Sequence, residues 1–158
     1  MKTIVVGLGN PILGDDGAGW KVAEQVEQRL PKSLKTSEVA VDCVSLGGLS
    51  LMERLIGYER AIVIDAIGTG QHPIGTAYHF RLDELYDPTS GHTTAAHDVS
   101  LMTAIQIGRS LGASLPAQIE VVAIESPYVY DFSEELTPPV AAAVPQAVDL
   151  VMELLQAS

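Results

Sequence analysis

Four side chains in this sequence stand where an acid or an imidazole could do chemistry: Asp15 and Asp16 in a glycine-rich loop, Asp65 closing an apolar run, and His97 ahead of a helical stretch. The loop runs Gly7-Leu8-Gly9-Asn10-Pro11-Ile12-Leu13-Gly14-Asp15-Asp16-Gly17-Ala18-Gly19. A dinucleotide fingerprint fails in it, because Ile12 occupies the place of the third glycine and Pro11 removes a backbone donor. Gly9 and Gly14 have the spacing of a phosphate loop, but Asp15 and Asp16 follow where Lys and Ser/Thr should stand. Two carboxylates repel a phosphate and attract a cation. Asp15 is expected to be a solvated N-cap or first-turn residue of the helix that follows, where Asp is favoured in any case. For Asp16 the same helix-start reading and a site role stand side by side, and the rest of the constellation bears on the choice.

Asp65 ends the stretch Ala61-Ile62-Val63-Ile64, where a charge must either face a crevice or be desolvated at considerable cost. Its plain alternative is to cap the backbone of Ile67-Gly68-Thr69-Gly70. His97 lies just before a predicted helix, with Asp98 placed as its N-cap. One carboxylate from each of two strand ends and one imidazole make an O,O,N set that suits Ni²⁺ or Zn²⁺. Three protein ligands leave positions open, as in a catalytic or ligand-sharing site. His72, His79 and His92 are expected at the surface. The single Cys43 falls inside a predicted strand and is expected to be an inert buried thiol, with no partner for an internal disulfide. Neither a Gly-x-Ser-x-Gly elbow nor a His-Glu-x-x-His helix occurs.

The elements that must hold these residues follow from apolar periodicity. Thr3 to Leu8 is a buried strand entering a tight loop, and Val22, Ala23, Val26 and Leu30 recur at helical spacing up to Pro31. Val39 to Ser45 is a second strand, Leu49 to Ile56 a short helix, and Ala61 to Ala66 a third strand buried on both faces. Thr76 to Leu82 alternates after a turn too short for a crossover helix, which predicts an antiparallel edge strand. A helix over Leu101 to Leu111, a strand over Ile119 to Ile124 and a last helix from Thr137-Pro138 to Leu155, bent at Pro145, complete the chain. The order predicts a three-layer α/β/α domain with a mostly parallel five-stranded sheet. Right-handed crossovers place the loops after strands one, three and five at one edge, where ligands of such sheets bind.

Composition agrees with one aliphatic-rich globular domain: 158 residues, 47% of them hydrophobic, mean hydropathy +0.23. Nine Lys and Arg against 20 Asp and Glu give a net charge of −11, which argues against a nucleic-acid partner. The N-terminal apolar run stops at glycines, unlike a signal peptide, and no apolar stretch reaches the length of a bilayer span. A cytoplasmic monomer without membrane insertion is the expectation.

Gly7-Leu8-Gly9-Asn10 with Asp15-Asp16-Gly17-x-Gly19, Asp65 closing strand three, His97 opening a helix and Leu136-Thr137-Pro138 before the last helix together resemble the nickel-iron hydrogenase maturation proteases. The resemblance covers almost the whole chain and implies one such domain over residues 1–158. It implies a cytoplasmic endopeptidase that removes the C-terminal extension of a hydrogenase large-subunit precursor after nickel insertion. It carries the family's first-loop acidic metal contact onto Asp16, where some members have Glu, its strand-end Asp onto Asp65 and its histidine onto His97. Asp16, Asp65 and His97 are thus the expected catalytic and metal-binding residues, with nickel supplied by the substrate and no tightly bound organic cofactor. A metal-free variant uses Asp16 and Asp65 as an acid/base dyad sharing a proton. The segment Tyr86 to Ala96 is either a substrate-contacting loop or an exposed connector. Two other classes compete. A nickel-binding chaperone would hold the precursor without cutting it. A phospho-receiver domain needs a lysine after strand five, where this chain has Glu125-Ser126-Pro127, and an acidic pair directly at the end of strand one.

Overall fold

The three central strands form from aliphatic runs that are buried on both faces of a covered sheet, while the two edge strands are only partly buried. In chain order they are β1 (Thr3–Leu8), β2 (Val39–Val44), β3 (Arg60–Ile67), β4 (Ala77–Arg81) and β5 (Gln118–Glu125). The helices are α1 (Ala18–Arg29), the single turn α2 (Lys32–Lys35), α3 (Gly48–Leu55), α4 (Ala96–Ser110) and α5 (Pro138–Gln156). The computed structural model describes residues 1–35, 38–45, 48–82, 96–127 and 131–157, with 34, 35, 48 and 96–101 as backbone only. Of the predicted loop over Tyr86 to Ala96 only the backbone of Ala96 lies among the described residues, and His92 lies outside them.

The sheet order is β2-β1-β3-β5-β4, parallel throughout except that β4 runs antiparallel to β5 at one edge. The predicted α/β architecture and its antiparallel edge strand are therefore both present. Side chains alternate between two apolar layers. Ile4, Val6, Leu8, Val63, Ile67, Val121 and Ala123 pack with Leu51, Leu55 and Ile105 of α3 and α4. On the other face, Val5, Ile62, Ile64, Val122 and Ile124 pack with Val22 and Val26 of α1 and Val144 and Val148 of α5. By length and composition alone α5 could cross a membrane, but its stripe of Val140, Ala143, Ala147 and Val151 is buried against this second layer. The helix continues through Pro145.

Two boundaries differ from expectation. The helix predicted from Leu101 starts at Ala96, so His97 lies within the first turn of α4 instead of before it. An acidic residue such as Asp98 is favourable anywhere in a first turn, so it does not fix the cap position. Likewise β3 continues two residues past Asp65, because Ala66 and Ile67 still pair with Ile124 and Glu125.

Candidate active site

All four parallel strands point their carboxyl ends to one edge of the sheet, and the first loop crosses that edge after β1. Glycines make this crossing possible. Gly9 has φ +139°, and a Cβ there would run into the Asp16 carbonyl. A Cβ at Gly19 would collide with the carbonyl oxygens of Ile64 and Leu8, so only glycine lets α1 begin directly on β1 and β3. Between them Gly14–Gly17 forms one 3-10 turn, closed by the Asp16 N–H donating to Leu13 O at 3.1 Å. The turn packs against β3.

The two aspartates of the turn have opposite fates. Asp16 is partly exposed, and its Oδ2 accepts the Asn10 N–H at 2.9 Å. Asp15, expected to be solvated at a helix start, is instead buried to 3% exposure. Its two oxygens accept the Thr137 N–H at 2.7 Å and the Thr137 hydroxyl at 2.8 Å. Successive residues of a 3-10 turn point about 120° apart, so when one faces α5 the next must face elsewhere. The short-range reading of Asp15 failed because its partner lies 122 residues along the chain.

Asp65 is 2% exposed. It stands one residue beyond the last β1 pairing, Gly7 with Ile64, and opposite Ala123 of β5. Its parity with Val63 and Ile67 sets it on the face covered by α3 and α4, and it has an interaction partner of its own. The helix whose first turn carries His97 covers that same face; the His97 side chain lies outside the described residues. The fold thus puts the Asp16 turn against the strand of Asp65. Among the described residues no group of three His, Cys, Asp or Glu side chains forms a metal cluster.

A second carboxylate caps the backbone of the loop after β3. Glu125, 1% exposed at the end of β5, accepts the Thr69 N–H at 2.8 Å, the Gly70 N–H at 3.0 Å and the Thr69 hydroxyl at 2.6 Å. The Tyr78 hydroxyl donates to it at 3.3 Å. Sequence reasoning passed over Glu125, although an acid closing an apolar strand was the same signal that singled out Asp65. At the opposite edge Arg60 is paired with buried Glu120 at 2.6 Å and donates to Leu154 O at 2.6 Å, ending α5. His72 and His79 are exposed as expected, with His79 Nε2 3.4 Å from Glu120 and His72 stacked on Tyr78. Cys43 lies inside β2 as expected but is only partly buried; burial first, then the charges of Glu24, Asp42 and Glu27, push its thiol up to about 11.

A model of the HycI hydrogenase maturation protease family matches residues 20–154. That range includes Asp65 and His97 and begins after Asp16. The chain is 26% identical to the Hydrogenase 2 maturation protease of Escherichia coli, over 100% of this chain and 93% of that one. It is also 26% identical to the hydrogenase expression/formation protein HupD of Bradyrhizobium diazoefficiens, over 98% and 78% of the two chains. Among solved structures, the hydrogenase maturating endopeptidase HybD from E. coli superposes with a TM-score of 0.77 at 26% identity, over 99% of this chain and 93% of that chain. The [NiFe] hydrogenase maturation protease HybD from Thermococcus kodakarensis superposes at 0.75 with 25% identity, over 98% and 99%.

Proposed function

The chain belongs to the hydrogenase maturation protease family, and from that premise we propose that it cuts the C-terminal extension from a nickel-iron hydrogenase large-subunit precursor in the cytoplasm, after nickel insertion. In this reading the nickel belongs to the substrate and is read through Asp16, Asp65 and His97. One observation carries it: a carboxylate buried to 2% stands on β3 at the edge of the sheet where the turn bearing Asp16 packs. Two carboxylates and an imidazole suit Ni²⁺, and three such ligands leave room for those that the substrate already provides. The Asn10 N–H supports the Asp16 carboxylate, and the backbone of His97 belongs to the first turn of α4, a helix packed on the face of the sheet that carries Asp65. Occupancy of the trio then reports a finished precursor, and no organic cofactor is required.

The test is incubation of the chain with nickel-loaded and nickel-free precursor, followed by mass measurement of the large subunit. Loss of the extension from the loaded form alone is expected. Equal cutting of both forms would remove nickel from the recognition step. Binding without any mass loss would replace cleavage by a chaperone role.

A further inference from the structure

The turn that carries Asp16 is fastened to a segment far from it in sequence. On one side Gly14 N donates to Ser133 O at 2.8 Å and Ser133 N to Ile12 O at 2.9 Å, forming a short parallel bridge. On the other, both oxygens of Asp15 hold Thr137. These contacts border a cavity of about 270 Å³ between the turn and the segment before α5.

Thr137 is the N-cap residue of α5, yet its side chain makes no capping bond to its own helix. Proline at the second helical position removes one of the two N–H groups that a cap could serve, and the threonine puts its side chain to another task. Its backbone N–H and hydroxyl both turn to Asp15. A carboxylate held by two donors has little rotational freedom, and in a four-residue 3-10 turn that fixes the direction of the next side chain.

We propose that Asp15 is a positioning residue: through Thr137 it sets where the Asp16 carboxylate stands, and so governs the rate of the cleavage proposed above, on which this inference rests. Asp15 does not touch the reacting atoms. Its effect passes through the turn, which gives it two signatures that a purely stabilising contact lacks.

The first signature is in the reaction. Asp15→Asn and Thr137→Val should each lower kcat on nickel-loaded precursor about tenfold at a temperature where circular dichroism shows full folding, with KM changed less than twofold. The double variant should be no slower than the slower single one, because both break the same link. Thr137→Ser keeps the hydroxyl and should restore most of the rate. The second signature needs no substrate. The Asn10 amide donates to Asp16 Oδ2, so its hydrogen-exchange protection reports where that carboxylate is. In Asp15→Asn and Thr137→Val the Asn10 amide should lose about tenfold in protection, while the Val63 amide in β3 keeps its own. Unchanged Asn10 protection in both variants overturns the proposal, as do additive losses of kcat. Failure of the wild-type chain to cut precursor would instead refute the proposed function, with Asn10 protection still deciding the role of Asp15.

Discussion

Glu125→Gln keeps the shape of a side chain that is 1% exposed and removes its charge. The amide fits the same contacts when its oxygen takes the Oε2 place, accepting from Thr69 N and Gly70 N, and its nitrogen the Oε1 place, donating to the hydroxyls of Thr69 and Tyr78. Hydrogen bonds to a charged acceptor contribute about 1.5–3 kcal/mol and neutral ones about 0.5–1.5, so the two backbone bonds together weaken by about 2 kcal/mol. Relief of the buried carboxylate's desolvation works in the other direction. The net expectation is a loss of about 1–2 kcal/mol. Glu125→Ala strands the N–H groups of Thr69 and Gly70 and leaves a hole, for a loss of about 3–5 kcal/mol. Urea unfolding followed by far-ultraviolet circular dichroism measures both, with an unchanged m-value showing that only the native state was altered. For a chain of this size each 1 kcal/mol lowers Tm by about 2–4 °C. A Gln variant as stable as the wild type, or an Ala variant no weaker than Gln, would refute the account of Glu125 as the anchor of the loop after β3.

Among the proposed site residues, Asp16→Asn, Asp65→Asn and His97→Ala should each reduce cleavage of nickel-loaded precursor at least about tenfold, measured by mass against time, while Asp16→Glu keeps part of the activity because it retains an anionic oxygen. Gly19→Ala drives a methyl into two backbone carbonyls and should cost about 3 kcal/mol or more in urea unfolding; wild-type stability would contradict the close seating of α1 on the sheet. With its thiol pushed up to about 11, Cys43 should react with iodoacetamide at pH 8 about a hundredfold more slowly than a thiol of ordinary acidity near 9. Because the shift is upward, the contribution of this group to stability is intact below about pH 9 and is lost as pH rises toward 11.

The sheet was legible in the sequence because a doubly covered strand needs an unbroken apolar run, and Thr3–Leu8, Arg60–Ile67 and Gln118–Glu125 each carry one. The edge strand was legible from a loop too short to hold a helix. Asp65 stood out by the contrast between one acid and its apolar neighbours, and the structure buries it to 2% exposure. Asp15 was misread, and Glu125 overlooked, because local pattern carries no information about a partner 122 or 56 residues away. The start of α4 escaped for another reason: Ala96 and Asp98 are acceptable both before and inside a first turn, so nothing local chooses between them.

Both ends of α5 are held by charged groups from the first half of the chain, Thr137 by Asp15 at one edge of the sheet and Leu154 O by Arg60 at the other. A chain emerging from the ribosome has made the turn of Asp16 long before it has made what fastens it. Until α5 is free to dock, Arg60 has Glu120 but not the Leu154 carbonyl as acceptor, and one apolar layer of the sheet lies open. Vectorial synthesis therefore delivers the completed edge of the sheet last. Fragments truncated before Thr137 should lose the fastening of the Asp16 turn and be degraded by cellular proteases faster than chains that carry α5.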